Sequence, residues 1–116
     1  MNSSKYSLLK IYASTTDRIG SKLLYEYVVH AAKDEGLSGV SVYRGIMGYG
    51  LSSKINSSKF WELTEKLPIT IEIIDKTKKL EAFHKKMEKE LLAMPKGCLI
   101  AIVPAQVILH KRGKKE

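Results

Sequence analysis

The chain has 116 residues, of which 44% are hydrophobic and 28% are charged, and its formal net charge is +8. This length fits one domain, residues 1–116, with a core at about 6–109 and a basic tail at 110–116. No stretch approaches the roughly 18 consecutive apolar residues of a transmembrane helix, and the polar N-terminus lacks the apolar centre of a secretory signal. The single cysteine, Cys98, cannot form an internal disulfide, so we expect a cytoplasmic protein.

The positive charge is concentrated in two segments. One is the C-terminal sequence HKRGKKE, His110–Glu116, and the other is Lys76–Lys89. Two interpretations stay open. The charges can form a solvated helix face and a solubilising tail, or they can bind an anionic partner: a nucleotide, a nucleic acid, an acidic protein or a membrane surface.

The first half of the chain predicts a strand followed by a helix. Tyr6–Ala13 is rich in Tyr, Leu and Ile and is typical of a strand. Helical periodicity then predicts a helix from about Ser21, a candidate N-cap, to Glu35, with Gly36 in the left-handed position that ends it. Its apolar stripe comprises Leu24, Tyr27, Val28, Ala31 and Ala32.

The middle of the chain predicts two further strands joined by a long loop. The second strand spans Gly39–Ile46, and the third spans Ile69–Asp75, with Ile69, Ile71 and Ile73 on one face. A helical turn is expected at Phe60–Lys66, at the end of the loop.

The C-terminal part predicts a second helix and two strands. The helix spans about Thr77–Met94, with a stripe of Leu80, Phe83, Met87 and Leu91. The apolar run Cys98–Val103 predicts a fourth strand, which Pro104 is expected to interrupt. Val107–Leu109 is expected to begin a last short strand.

This order, βαββαβ with a short extra C-terminal strand, predicts an α+β, ferredoxin-like sandwich in which two helices cover one face of an antiparallel sheet. The other face is predicted to carry Leu8, Tyr12, Tyr43, Ile74, Ile100 and Ile102, with Lys10, Thr70 and Glu72 among them. Such a face is too apolar to remain exposed to water, so we expect a closed cyclic oligomer that covers it.

Several chemistries are disfavoured by the residues present. His30, His84 and His110 lie far apart and Cys98 has no neighbouring Cys, so no metal site is expected. Cys98, at the start of an apolar strand, is interpreted as a buried or half-buried inert thiol. An acylphosphatase-like enzyme would use Arg18 but would need an Asn on the third strand, which has none. An RNA-recognition module would need stacking aromatics on that same strand, ITIEIID, and they are absent.

The loop sequence RGIMGYGLSSKINSSK, residues 44–59, has features of an anion-binding segment. Its glycines permit unusual backbone conformations and close approach of a ligand, and successive free N–H groups can bind an anion. Tyr49 can stack on a base, Ser52 and Ser53 can donate hydrogen bonds, and Arg44, Lys54 and Lys59 add charge. Neither the P-loop pattern nor GxGxxG is present. A plain hairpin connection remains the alternative, although a loop this long favours a functional role.

The stretch GSKLLYEYVVHAAKDEGLSGVSVYRGIMGYGLSS, followed by LPITIEIID, resembles the PII-like proteins of domain-of-unknown-function family 190. The resemblance is strong over about Lys10–Asp75 and weaker to about Gly113. That family is similar in fold to the nitrogen-regulatory PII signalling proteins and the CutA proteins, which are ferredoxin-like trimers. In PII proteins the corresponding loop contacts target proteins, and adenine nucleotides bind between subunits at its base.

Residue by residue, the resemblance is partial. Gly48–Gly50 matches the GFG at the base of the PII loop, and Ser52 lies near the position of a ligand-contacting Gln. Gly97 matches a phosphate-loop glycine, but Cys98 replaces a Lys of that loop. Two late-strand Arg residues that hold phosphates in PII are Leu109 and Lys111 here. The loss of phosphate-binding charge favours AMP or ADP over ATP, and a cyclic adenine nucleotide stays open.

The resemblance thus implies a non-enzymatic, homotrimeric signalling protein that requires no cofactor and binds an adenine nucleotide to regulate a target protein, for which a membrane transporter is one candidate. The expected ligand-binding residues are Arg44, Gly45, Gly48, Tyr49, Gly50, Ser52, Ser53, Gly97, Cys98 and Lys111. The expected partner-binding loop comprises Leu51, Lys54, Ile55, Asn56, Ser57 and Ser58. The alternatives are a CutA-like divalent-metal-linked protein and a small nucleic-acid-binding module. Asp75 or Thr77 is expected to cap the second helix, although Asp75 can instead bond a ribose hydroxyl.

Overall fold

The computed structural model describes residues 5–50, 56–57 and 66–114. The elements in chain order are β1 Tyr6–Ser14, β2 Arg18–Ile19, β3 Lys22–Leu23, α1 Leu24–Asp34, β4 Ser41–Arg44, β5 Met47–Gly48, β6 Asn56–Ser57, β7 Pro68–Lys76, α2 Thr77–Ala93 and β8 Leu99–Ala105. The helical turn expected at Phe60–Lys66 falls, apart from its last residue, outside the described residues.

A four-stranded sheet in the order β4-β7-β1-β8 forms the centre of the molecule, and every neighbouring pair in it is antiparallel. Both helices contribute to one hydrophobic core on a single face of this sheet. The predicted α+β, ferredoxin-like sandwich is therefore confirmed, and its two long central strands, β1 and β7, pair along their whole length from Tyr6–Lys76 to Ser14–Pro68.

The core forms where the sequence periodicity placed it. Leu24, Val28 and Ala32 of α1 are buried at helical spacing, and Leu80, Phe83, Met87 and Leu91 of α2 face them across the core. Alternate residues of the central strands complete it: Leu9, Ile11, Ile69, Ile71 and Ile73. A period of 3.6 in the helices and 2 in the strands puts each apolar set on one face, which is why these assignments are confirmed.

The start of α1 differs from the prediction, although its end agrees. Residues 18–23 form a small hairpin, β2 with β3, and the helix begins only at Leu24 without a side-chain cap. Ser21 therefore does not cap it, because Ser21 lies in the turn of that hairpin, next to Gly20 with φ of 60°. At the other end Gly36 has φ of 80°, and Leu37 N donates to Ala32 O at 3.1 Å. This is the expected glycine-terminated helix end.

Neither Asp75 nor Thr77 caps α2, so this expectation was wrong. The N-cap residue of α2 is Lys76, and it makes no side-chain capping bond. The Asp75 carboxylate instead accepts hydrogen bonds from Ser38 N at 2.8 Å and from Lys76 N at 2.7 Å. These two hydrogen bonds of the buried carboxylate connect the loop after α1 to the end of β7.

The strand β8 corrects three expectations at once. It runs through Pro104 instead of ending there. A proline is tolerated in β8 because an edge strand has a neighbour on one side only, so the N–H that proline lacks need not be one that the sheet uses. Within the described segment 106–114 no strand follows, because Val107–Leu109 finds no neighbouring strand in this chain. The predicted extra strand is therefore absent from this chain's described residues.

The inward and outward faces of β8 are also opposite to the prediction. Ile102 pairs with Leu9 and Ile100 pairs with Ile11, so both lie on the helix-covered face. The outward residues of β8 are Leu99, Ala101 and Val103, since they pair with the outward residues of β1. The run CLIAIV is apolar at every position, so its pattern carried no information about which residues point inward.

Candidate functional site

The base of the long loop is held tightly against the start of β7. Gly45 N donates to Pro68 O at 2.7 Å, which extends the pairing of β4 with β7 by one residue. A Cβ on Gly45 would lie 3.0 Å from Pro68 Cγ, and one on Gly48 would lie 3.4 Å from it. Neither glycine has a positive φ. Close packing on the proline thus explains Gly45, whereas Gly48 would make only an ordinary contact, and neither has the unusual backbone conformation expected from the sequence.

The loop returns towards its own base as a hairpin. The strands β5 and β6 pair antiparallel, with Met47 opposite Ser57 and Gly48 opposite Asn56. Of the predicted partner-binding residues, only Asn56 and Ser57 have a described backbone. Leu51, Lys54, Ile55 and Ser58 lie outside the described residues, as do the predicted ligand-binding residues Ser52 and Ser53.

A cleft of about 650 Å³ lies beside this loop base, and we call it the loop-base cleft. It is bounded by the end of β1, the turn after it, the first residues of β7 and the segment that leads into β8. The lining residues are Tyr12, Ala13, Ser14, Asp17, Gly48, Tyr49, Gly50, Lys66, Pro68, Ile69, Thr70, Lys96, Gly97, Cys98 and Leu99.

The loop-base cleft brings together five of the predicted ligand-binding residues from two distant parts of the sequence. Gly48, Tyr49 and Gly50 line one side of it, and Gly97 and Cys98 line another. This juxtaposition follows from sheet topology, because β1 lies between β7 and β8 and the chain enters β7 and β8 at the same end of the sheet, where β1 ends.

Three other predicted ligand-binding residues do not line this cleft. Arg44 is exposed on β4 opposite Ile69, and Gly45 packs on Pro68 beside the cleft. Lys111 lies in the exposed segment after β8. Asp75 is at the opposite end of β7 from the cleft, so it is not positioned to bond a ribose there.

The cleft also contains ionisable residues that sequence reasoning missed. Lys66 and Lys96 line it, and neither forms an ion pair with a described carboxylate. Asp17 lines it as well and is only 5% exposed. The sequence could have indicated Lys66 and Lys96. Lys66 lies just before β7 and Lys96 just before β8, and both strands enter the sheet beside the end of β1.

Cys98 differs from its predicted environment. The residue is exposed at the cleft, not buried or half-buried. Desolvation around the sulfur nevertheless raises the pKa of the Cys98 thiol above its ordinary value, and the Asp17 carboxylate raises it further. A raised pKa keeps the thiol protonated at neutral pH, which is the opposite of what an activated nucleophile needs.

A second groove of about 630 Å³ lies between α1 and α2, and it contains none of the predicted site residues. Part of its polar rim is paired: Lys86 Nζ lies 2.8 Å from Glu35 Oε1, and the Tyr27 hydroxyl donates to Glu90 Oε1 at 2.6 Å. The loop-base cleft, which is lined by five of the predicted ligand-binding residues, is the better candidate site.

The uncovered side of the sheet, which we call the open sheet face, is continuous with the loop-base cleft. It comprises Leu8, Lys10, Tyr12, Ser41, Tyr43, Thr70, Glu72, Ile74, Leu99, Ala101 and Val103. Tyr12, Thr70 and Leu99 belong to both surfaces. At the centre of the face Lys10 Nζ lies 3.7 Å from Glu72 Oε2, so its charged residues are paired with each other.

The described residues contain neither a metal-ligand cluster nor a membrane-spanning helix. No three His, Cys, Asp or Glu side chains in residues 5–50 and 66–114 are grouped as metal ligands would be. Neither described helix combines the length and apolar character needed to cross a membrane.

Comparison with known proteins places this geometry in a family. The family model DUF190, described as "Uncharacterized ACR, COG1993", matches residues 6–107. A UPF0166 protein of Aquifex aeolicus is 38% identical over 79 residues, covering 68% of this chain and 75% of that protein. A UPF0166 protein of Methanocaldococcus jannaschii is 37% identical over 71 residues, covering 61% and 65%.

Among solved structures, the divalent ion tolerance protein CutA1 from Ehrlichia chaffeensis has a similar fold. The TM-score is 0.55 at 11% identity, over 93% of this chain and 88% of that one. This likeness extends to the fold alone, whereas the family match covers the whole four-stranded sheet and both helices. The chain therefore belongs to the DUF190 family.

Proposed function

We propose that this protein is a non-enzymatic, cytoplasmic regulator that binds an adenine nucleotide, AMP or ADP, in the loop-base cleft and signals to a partner protein through residues 51–58. One observation carries the proposal: the glycine-rich loop base and the segment Lys96–Cys98 meet around one cleft. Its volume of about 650 Å³ lies within the range of about 300–1,000 Å³ that small-molecule sites occupy.

The chemistry of the cleft suits a ligand with one or two phosphates. Lys66 and Lys96 supply two positive charges without a described carboxylate partner, and ammonium groups of this kind bind phosphate oxygens as point charges. Tyr49 is 73% exposed beside Gly48 and Gly50, so its ring is available to stack on a base. Two lysines match AMP or ADP better than a triphosphate with its four negative charges.

Oligomerisation is part of the proposal. The open sheet face leaves Tyr43 56% exposed and Ile74 50% exposed. A neighbouring subunit that covers this face would also close the cleft, because Tyr12, Thr70 and Leu99 belong to both surfaces. We propose a cyclic trimer, as the family resemblance implies, in which Lys111 of the exposed C-terminal segment reaches a neighbouring subunit's cleft.

Regulation requires that the ligand bind one state of the loop better than another, since equal affinity for both states shifts nothing. Gly48 and Gly50 line the cleft, and Gly48 is also paired with Asn56 in the β5–β6 hairpin. A nucleotide that contacts Gly48–Gly50 therefore touches the base from which residues 51–58 extend. Binding would favour one arrangement of this segment, and the target protein would recognise it.

The test is isothermal titration of nucleotide-stripped protein with AMP, ADP, ATP and a cyclic adenine nucleotide. We expect saturable binding of about one AMP or ADP per subunit, and a weakening of about 10-fold in Lys96→Gln, which removes one charge-assisted bond. Lys89→Gln, on the exposed side of α2, is the matched control and should bind like the wild type. Absence of binding by any nucleotide would refute the nucleotide part of the proposal.

A further inference from the structure

Two buried aspartates of this chain differ in how their charge is accommodated. Asp17 and Asp75 are each 5% exposed. Both oxygens of Asp75 accept backbone hydrogen bonds, from Ser38 and Lys76, and the Lys79 charge lies nearby. Both carboxylate oxygens of Asp75 are thus used in hydrogen bonds within the fold, and Asp17 can be compared with it.

Only one of the two carboxylate oxygens of Asp17 accepts a hydrogen bond from a described residue. Oδ2 accepts a hydrogen bond from Ser14 N at 3.0 Å, while the Asp17 backbone holds the same turn through Ser14 O and Leu24 N. Oδ1 accepts no hydrogen bond from a described residue, and no described Lys, Arg or His forms an ion pair with this carboxylate. An ionised carboxylate has about four acceptor sites, so most of this one's capacity is unused.

Asp17 borders the loop-base cleft, and its unused oxygen is accessible to solvent. Among the described side chains, the one nitrogen or oxygen atom that is sealed from solvent without a partner is His84 Nδ1. Asp17 Oδ1 is therefore not sealed, and the space that Asp17 borders is the cleft. Water can reach this oxygen, but a ligand that fills the cleft displaces that water and must itself donate a hydrogen bond to Oδ1 if the carboxylate is to stay paired.

The cleft therefore has two electrostatically different parts. Lys66 and Lys96 attract an anionic group, whereas Asp17 repels one and accepts hydrogen bonds. A ligand that satisfies both must carry a phosphate at one end and a hydrogen-bond donor at the other. Inorganic phosphate and pyrophosphate have only the first of these features, whereas a nucleoside monophosphate has both.

We propose that Asp17 is the residue that recognises the donor-bearing end of the nucleotide, through a hydrogen bond to Oδ1 from either a ribose hydroxyl or the 6-amino group of the base. This inference rests on the proposed nucleotide binding and adds to it a specificity-determining residue and an orientation: the phosphate lies towards the lysines and the nucleoside towards Asp17.

The test is the variant Asp17→Asn, titrated with AMP, with 2′-deoxy-AMP and 3′-deoxy-AMP, and with the AMP analogue that lacks the 6-amino group. Asparagine keeps an acceptor for Ser14 N but replaces the other oxygen by a donor. Asp34→Asn, an exposed acidic residue at the end of α1 and outside the loop-base cleft, is the control with the same change of charge. Thermal unfolding of both variants shows whether the turn survives.

We expect Asp17→Asn to bind AMP about 10- to 100-fold more weakly than the wild type, the usual effect of losing a hydrogen bond to a charged group, while Asp34→Asn binds normally. One analogue should bind the wild type weakly and lose nothing further in Asp17→Asn, and that analogue identifies the donor. If Asp17→Asn is folded and binds AMP as tightly as the wild type does, this inference alone is overturned. No nucleotide binding by the wild type would overturn the proposed function, and this inference with it.

Discussion

The substitution Gly45→Ala tests how the loop base is attached to the sheet. In the structure an added Cβ would lie 3.0 Å from Pro68 Cγ and 3.4 Å from Pro68 O. The first distance is well below the usual contact distance of about 3.5–4.0 Å between carbon atoms, so the loop base or the Pro68 ring must move by a few tenths of an ångström. That movement would also strain the 2.7 Å hydrogen bond from Gly45 N to Pro68 O.

Overpacking of this kind costs about 1–3 kcal/mol of unfolding free energy. Gly39→Ala is the matched control, because nothing lies within 4 Å of its added Cβ and its φ is not positive. We expect that control to be neutral or to stabilise by about 0.4–1 kcal/mol through the unfolded chain. Urea denaturation of both variants, at one protomer concentration, measures the difference.

A third variant separates the clash from other effects of the alanine. Pro68→Ala removes Cγ, the atom closest to the added methyl group, and leaves the carbonyl oxygen that Gly45 N bonds. The combination of Gly45→Ala with Pro68→Ala should therefore lose less stability than the sum of the two single changes. Equal stability of Gly45→Ala and Gly39→Ala, or strict additivity with Pro68→Ala, would refute the close packing of loop base on proline.

Three further predictions concern charge and the open sheet face. Burial disfavours the charged form of Asp75, but hydrogen bonds from Ser38 N and Lys76 N and the Lys79 charge together outweigh it and lower the pKa of Asp75. Asp75→Asn should therefore be about 1–2 kcal/mol less stable than the wild type at pH 7. The gap should close as pH falls from about 4 through the lowered pKa, because the wild-type carboxyl is then protonated in both states; a gap independent of pH would contradict this. Alkylation of Cys98 by iodoacetamide should have a pH midpoint above that of a free cysteine, about 8.5, and a lower midpoint would argue against the desolvated thiol. Ile74→Glu, a half-exposed position on the open sheet face, should reduce the mass in solution from oligomer to monomer, and an unchanged mass would show that another surface makes the assembly.

The fold could be predicted where one face of an element is apolar and the other is polar. The α2 stripe of Leu80, Phe83, Met87 and Leu91 is interrupted by lysines and glutamates, so its buried face was unambiguous. The strand CLIAIV offered no such contrast, and its inward residues could be identified only from its pairing with β1. The hairpin at residues 18–23 was missed, although Gly20-Ser21 between Ile19 and Lys22 is a recognisable two-residue turn.

The candidate site could be predicted only in part, because it depends on which strand ends meet. The glycines of the loop and Gly97 were found through the family resemblance, and the structure brings them to one cleft. Asp17 was given no role, because its place beside Gly48 and Gly97 depends on how the turn after β1 folds, which no sequence pattern shows. Lys66 and Lys96 were overlooked because they lie far apart in the sequence, although each lies just before a strand that pairs with β1.

The most direct test of the account is a crystal structure of the protein grown with AMP. We predict density for the nucleotide between Gly48–Gly50 and Lys96–Cys98, with phosphate towards the lysines, in an assembly whose neighbouring subunit covers the open sheet face. A nucleotide bound at another surface would contradict the central claim that the loop base forms the ligand site. A structure of AMP-saturated protein in which the protein's own side chains occupy this cleft would contradict it as well.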